Sequence, residues 1–366
     1  MDSLHLTLDF PPMSHGGIST AVGALVRLLK THGRSVGVIT YDNWRPKSFL
    51  NADVSVERNH GVWRVRAPQS ARAVVEEEDF GEVQRIVVHH PLLWRDGRTL
   101  AKRLKAPIDF VVHVDILHVA EVTGRILAPH HQDIENEIIS QATRVITLSR
   151  DVQDRWKQTY LGTSICRAPL PLLVHSEMPS YGVPETILTL GRFDFVKGTD
   201  ILIECMSSLL KERPKLRWTH LGGNPASLKT QRRWLRKFED ALGASEQSRF
   251  SFVPWEGPQR VEDHYRKASL VLVPSRYETF GLVAREALSF GVGVVAFAVG
   301  GLKDILVDDG TGRLIEEVSV KALCLGVEGA LEALRDNPHV WRQSCLKQAA
   351  KLEAEAVTTW LSLMQT

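Results

Sequence analysis

Short apolar runs rich in β-branched residues alternate along the chain with longer segments whose apolar positions recur every three or four residues. In the first half the runs are LHLTLDF, SVGVIT, RIVVHH, IDFVVHV and TRVITLS. A helix predicted from Ile18 to about Thr31 carries Val22, Leu25, Val26 and Leu29 on one face and stops near Gly33, so core packing accounts for it. After a Pro-rich passage, CRAPLPLLVHSEMPSYGVPE, the alternation restarts with TILTLG, a helix over about 199–212, LRWTHLG, a second helix, FSFVP, a third helix, SLVLVP and GVVAFAV. Strands that alternate with helices pair in parallel, since a parallel partner needs a crossover and the helix supplies it. Residues 338–363 keep a helical spacing with no further strand.

With 366 residues the chain exceeds what one core organises, and two domains of roughly 150 to 200 residues fit its length. The expected fold class is α/β, with parallel-sheet domains over 1–172 and 186–345, a linker over 173–185, and a helical segment, 346–366, packing back toward the first domain. Lys and Arg (45) nearly balance Asp and Glu (43), so no basic excess recruits nucleic acid. Cys166, Cys205, Cys324 and Cys345 form no CxxC pair and no spacing of a disulfide scaffold, which fits a reducing cytoplasm. No run of about 18 apolar residues occurs, so a soluble or at most membrane-peripheral protein is expected.

Ligands of open parallel sheets sit at the carboxyl ends of strands. There the second half carries Gly191, Arg192 and Lys197 after TILTLG, Gly222 and Gly223 after LRWTHLG, Ser275 to Glu278 after SLVLVP, and Gly300 and Gly301 after GVVAFAV. In PSRYETFGLVAREAL a helix opening near Gly281 offers free N–H groups and a positive dipole end, a seat for phosphate. Carboxylates do not ligate phosphate without a metal, so Glu278 and Glu286 suit hydroxyls of a sugar and a ribose. Two solvated glutamates at a helix start are the plain alternative. GRFDFVKG places the cations Arg192 and Lys197 beside the next helix, where a diphosphate is the natural counterpart and a solvated loop the plain alternative.

GRFDFVKG followed about eighty residues later by PSRYETFGLVAREAL resembles the retaining GT-B glycosyltransferases of family 4. The likeness runs over most of the chain, with SHGGIST similar to the family's first glycine-rich loop and VVHVD to its His-bearing strand end. It implies two Rossmann-like domains facing a cleft and transfer of a sugar from a nucleotide-sugar donor to an acceptor hydroxyl with retention, by a metal-independent front-face route. It also implies roles. Arg192 and Lys197, beside Gly191, would bind the donor diphosphate and stabilise its departure, Glu286 would hold the ribose, and Glu278 would face the donor sugar. Backbone N–H groups of Thr279, Phe280, Gly281, Leu282 and Val283 would bind phosphate and sugar, with Gly222 and Gly223 at the donor. Gly16 and Gly17 would border the diphosphate and acceptor, and His113 would lie at the reaction centre, for binding or for proton transfer. The chain departs from the pattern with Gly293 where a Pro is usual and Asp304 where a Glu is common.

The acceptor stays open among glycan, lipid-linked sugar, protein and small metabolite. Rival functions are a sugar-nucleotide epimerase or hydrolase of the same fold and a noncatalytic nucleotide-sugar-binding subunit. The adjacent His89 and His90 lack Glu or Cys at ligand spacing, and no Asp-x-Asp follows an early strand, so neither a metal nor another cofactor is expected. LKTQRRWLRKFEDAL is a basic amphipathic helix, read as a surface helix with a solvated cationic face and alternatively as a weak peripheral contact with anionic membrane.

Overall fold

The structure of the protein, a computed structural model, describes residues 1–11, 17–41, 57–65, 74–172, 185–223, 227–255, 258–307 and 310–365. Contacts divide the chain into two compact units, the first made of residues 1–118, 126–172 and 354–366, the second of 119–125 and 173–353.

The first unit holds β1 (Ser3–Thr7), β2 (Val36–Tyr41), β3 (Glu57–Asn59), β4 (Val62–Val65), β5 (Ile86–Val88), β6 (Ile108–Val112), β7 (Arg144–Thr147) and β8 (Ile165–Arg167). They form one sheet in the order β3-β4-β2-β1-β5-β6-β7-β8, parallel except where β3 runs antiparallel to β4 at the edge. The second unit holds β9 (Thr186–Gly191), β10 (Arg217–Gly222), β11 (Phe250–Pro254), β12 (Leu270–Val273), β13 (Gly293–Phe297) and β14 (Gly312–Ile315). Its sheet is parallel throughout, ordered β11-β10-β9-β12-β13-β14, the doubly wound arrangement of a dinucleotide-binding fold.

Helices on both faces explain the sequence pattern, for every residue of β1, β2, β6, β12 and β13 is buried. The first helix, Gly17–Thr31, buries Val22, Leu25, Val26 and Leu29 as its spacing predicts. Helix Thr199–Glu212 also matches expectation. In helix Leu228–Ala241, Phe238 is fully buried and Trp234 and Leu235 rest on the core, but Leu228 is exposed, so the apolar stripe starts at Trp234, nearly two turns later than its spacing suggests. Strands β3, β4, β8 and β14 escaped prediction because three or four residues, several of them charged, are too few to show alternation.

Tertiary packing also changes the reading of the cysteines. Helix Thr199–Glu212 and helix Val320–Asp336 bring Cys205 and Cys324, both free thiols, to 3.0 Å between sulfurs. At Gly293 the indole of Trp341 fills the space a side chain would take, since a β-carbon there would fall 2.0 Å from the ring nitrogen. The Pro usual in the family would collide with that ring. In the first unit Asp109, fully buried, is held by Arg85 (3.0 Å) and Arg144 (2.8 Å), and Arg144 also donates to the carbonyl of Leu363. Trp360 donates to the carbonyl of Pro169 at 2.9 Å and Glu355 pairs with Arg167, which ties residues 354–366 into this unit. Among the described residues no helix is long and apolar enough to cross a membrane.

Candidate functional site

In the second sheet the chain leaves β9 toward β10 on one side and leaves β12 toward β13 on the other, so a crevice opens between the carboxyl ends of β9 and β12. Thr189, Arg192, Lys197, Ser275, Glu278 and Val283 line one concavity there. The two motifs separated in sequence thus converge on one place.

The loop after β9 is rigidly built. Asp194 accepts from the backbone N–H of Lys197 (2.8 Å), and Thr199 Oγ1 both receives the N–H of Asp194 (3.0 Å) and donates to its carbonyl (2.9 Å). Gly198, with φ 65°, lets this loop close against the next one, for a β-carbon would fall 1.9 Å from the carbonyl oxygen of Pro274. The outcome is a Lys197 ammonium 2.5 Å from Glu278 Oε1, which also accepts from the Ser275 hydroxyl at 2.8 Å. Arg192 is mostly exposed and pairs loosely with Asp194 at 3.4 Å.

Helix Leu282–Ser289 starts at Gly281 in the left-handed region, φ 84°, with no side chain capping it. Its first N–H groups therefore have no intrahelical acceptor and point out of the helix start beside Glu278. Thr279 and Phe280 are buried, and Leu282 and Val283 are partly exposed. Gly300, at φ 48°, backs this loop so tightly that a β-carbon would fall 1.8 Å from the carbonyl oxygen of Glu278, while the N–H of Gly301 donates to that same oxygen at 2.9 Å. Glu286, one turn into the helix and partly buried, accepts from Tyr265 Oη at 2.7 Å. Burial pushes its carboxyl up to about 7, against the opposing pull of the Tyr265 hydrogen bond.

Gly191 and Gly222 end their strands side by side, and the N–H of Gly223 donates to the Gly191 carbonyl at 3.0 Å. Gly17 opens the first helix, and His113 follows β6, both in the first unit. Gly16 lies outside the described residues. His89 has both ring nitrogens engaged by other histidines, and among the described residues no three His, Cys, Asp or Glu side chains are grouped to hold a metal.

A family described as glycosyl transferases group 1 matches residues 175–348. A D-inositol 3-phosphate glycosyltransferase of Kineococcus radiotolerans is 38% identical over 138 residues, an alignment covering 36% of this chain and 31% of that protein, under a third of its length. An enzyme of the same name from Geodermatophilus obscurus is 30% identical over 337 residues, covering 82% of this chain and 74% of the relative. The chain belongs to glycosyl transferases group 1. Its structure superimposes on a sucrose-phosphate synthase of Thermosynechococcus elongatus with a TM-score of 0.77 at 21% identity, over 99% of this chain and 98% of the other, which makes the fold GT-B.

In this group 1 chain several residues that sequence reasoning passed over hold the site together. Arg276 makes two 2.7 Å bonds to Asp200, donates to the carbonyl of Phe195 at 2.8 Å, and stacks on the Phe195 ring at 3.8 Å, while its own N–H donates to the Val196 carbonyl. It clamps the loop that carries Lys197 to the loop that carries Glu278. Tyr265, stacked on Phe290 at 5.2 Å, fixes Glu286. A guanidinium at the end of an apolar strand was the visible signal for Arg276. For Tyr265, on the preceding helix, there was none.

Burial alone would raise the Asp200 carboxyl, but the Arg276 guanidinium more than offsets it and holds that group below its usual value. Arg276→Leu is accordingly expected to cost about 1 kcal/mol at pH 7, the pair being partly exposed. A lowered native pKa stabilises above the unfolded value, so the deficit should shrink as pH falls through the native Asp200 pKa. Urea unfolding at pH 7 and pH 3 measures both, and an equal deficit at the two would reject the clamp.

Proposed function

We propose that the protein is a retaining glycosyltransferase of family 4 that moves a sugar from a nucleotide-sugar donor to an acceptor hydroxyl. The observation that carries this reading is the meeting of Lys197 and Glu278, 2.5 Å apart, beside the uncapped start of helix Leu282–Ser289 at the sheet's switch point. A hydroxyl-binding carboxylate for the sugar, with a cation and free N–H groups beside it for the diphosphate, is what a sugar diphosphate needs.

On this reading Lys197 and Arg192 neutralise the departing diphosphate, and backbone N–H groups from Thr279 to Val283 share its phosphate oxygens. Glu278 accepts from sugar hydroxyls and Glu286 from the ribose. As the bond from the anomeric carbon to the diphosphate breaks, the acceptor oxygen bonds to the same face of that carbon and its proton passes to a diphosphate oxygen. Fixed charges suffice for this chemistry, because each well-aimed donor contributes about 2.7 to 4 kcal/mol of transition-state stabilisation. The names of the relatives, an inositol 3-phosphate glycosyltransferase and a sucrose-phosphate synthase, make a phosphorylated polyol or sugar the first acceptor class to try.

The test is a thermal-shift panel of UDP, GDP, ADP, CDP and dTDP, since a ligand at 100 times its Kd raises stability by about 2.7 kcal/mol. One nucleotide should raise the Tm by several degrees; no shift with any of the five would defeat the proposal. Turnover of the matching nucleotide sugar without any acceptor, as fast as with one, would instead assign an epimerase or hydrolase.

A further inference from the structure

The first unit contains a chain of three histidines that ends at His113. His5 Nε2 lies 3.0 Å from Ser3 Oγ, His5 Nδ1 lies 2.9 Å from His89 Nε2, and His89 Nδ1 lies 2.9 Å from His113 Nε2. The sheet builds this line. Ser3 and His5 point to one face of β1 because side chains two apart share a face, and β5 and β6 lie next in order, with His89 and His113 immediately after them. Ser3, His5 and His89 are buried; His113 is partly exposed.

Burial holds all three imidazoles far below their usual pKa, His5 and His113 at about 3, so they are neutral at pH 7. A neutral imidazole has one N–H and one lone pair, and each contact in the line takes one proton, so all the bonds must run in one direction. If they run inward, from His113 to Ser3, the serine hydroxyl receives a proton and has nowhere to send its own. Among the described residues His5 is the only partner of that hydroxyl, and a buried donor without an acceptor is the costlier defect. If they run outward, Ser3 donates to His5, His5 to His89 and His89 to His113, and each buried donor is satisfied.

We propose that Ser3, His5 and His89 are positioning residues that lock His113 in the Nδ1–H tautomer, so that His113 meets its ligand as a hydrogen-bond donor to an oxygen and not as a general base. The lone pair of His113, on Nε2, is taken by His89. This assigns His113 a binding role toward a sugar hydroxyl or other neutral oxygen. The identity of that ligand rests on the transferase reading; the tautomer does not.

Protein labelled with nitrogen-15 at histidine, examined by long-range proton–nitrogen correlation at pH 7, reads the tautomers directly, with His113→Asn and His89→Gln spectra providing assignments. His5, His89 and His113 should each show Nδ1–H, the minor form of free histidine in water. An Nε2–H signature at His113 overturns the proposal. In a second arm, His89→Gln keeps a donor for His113 and should retain kcat/KM within about 3-fold. His89→Leu frees His113 to change tautomer and should lower kcat/KM about 10-fold or more, with nucleotide affinity unchanged. Equal losses in the Gln and Leu variants would also overturn it. If His89→Leu fails to fold, the wild-type spectrum decides alone; if no nucleotide sugar is turned over, the transferase reading falls and the spectrum still answers for the histidines.

Discussion

Lys197→Met is expected to slow sugar transfer on the order of 100- to 1,000-fold, the loss that follows removal of one well-aimed charge from a developing anion. The same change should lower stability, because Glu278, with a side chain only 13% exposed, keeps the Ser275 hydroxyl but loses its cation. For a pair between surface and full burial the cost is about 2 kcal/mol. The two effects separate in the double variant Lys197→Met, Glu278→Gln. Taking away the orphaned charge should restore most of the urea midpoint while transfer stays low. A single variant that turns over within 3-fold of the parent would show that Lys197 does not act on the diphosphate.

The second large effect is at Glu286. A ribose diol donates to a carboxylate, and two charge-assisted bonds are worth about 3 kcal/mol together, so Glu286→Gln should weaken nucleotide binding about 100-fold. The pH dependence follows from the raised carboxyl. With a pKa of about 7 in the folded protein, the binding-competent carboxylate is scarce at pH 6 and dominant at pH 8. Nucleotide affinity should therefore climb through pH 7 and level off above it, and the Gln variant should show a flat profile. Stability moves the other way. A carboxyl raised above its unfolded value binds extra protons in the native state from about pH 4.5 to 7, so Glu286 erodes stability as pH rises through that window. The Gln variant should gain on the parent at pH 8, with little difference at pH 4. Calorimetric titration of nucleotide and urea unfolding, each at several pH values, measure the pair. A wild-type affinity indifferent to pH between 6 and 8 would remove Glu286 from the ribose.

How much of this was legible before folding depends on the kind of interaction. Buried parallel strands must be apolar on both faces, so TILTLG, SLVLVP and GVVAFAV declared themselves, and amphipathic spacing placed helices Gly17–Thr31 and Thr199–Glu212. Lys197, Glu278 and the glycine before helix Leu282–Ser289 were also visible, because a ligand at a strand end draws on residues next to that end. Arg276 and Tyr265 were not given roles, since what matters about them is the partner. Asp200 lies 76 positions from Arg276 and Glu286 lies 21 from Tyr265.

By itself, then, the sequence determined two runs of alternating strands and helices, and the strand ends at which chemistry gathers, because burial and local backbone geometry write themselves into residue type. Only tertiary structure decided which distant groups share a proton or a charge. Lys197 with Glu278 and Cys205 with Cys324 are such meetings, and so is the line from Ser3 through His5 and His89 to His113. Hydrogen bonds and ion pairs act within about 3 to 4 Å, and side chains far apart in sequence come that close only when strand order and register bring them together.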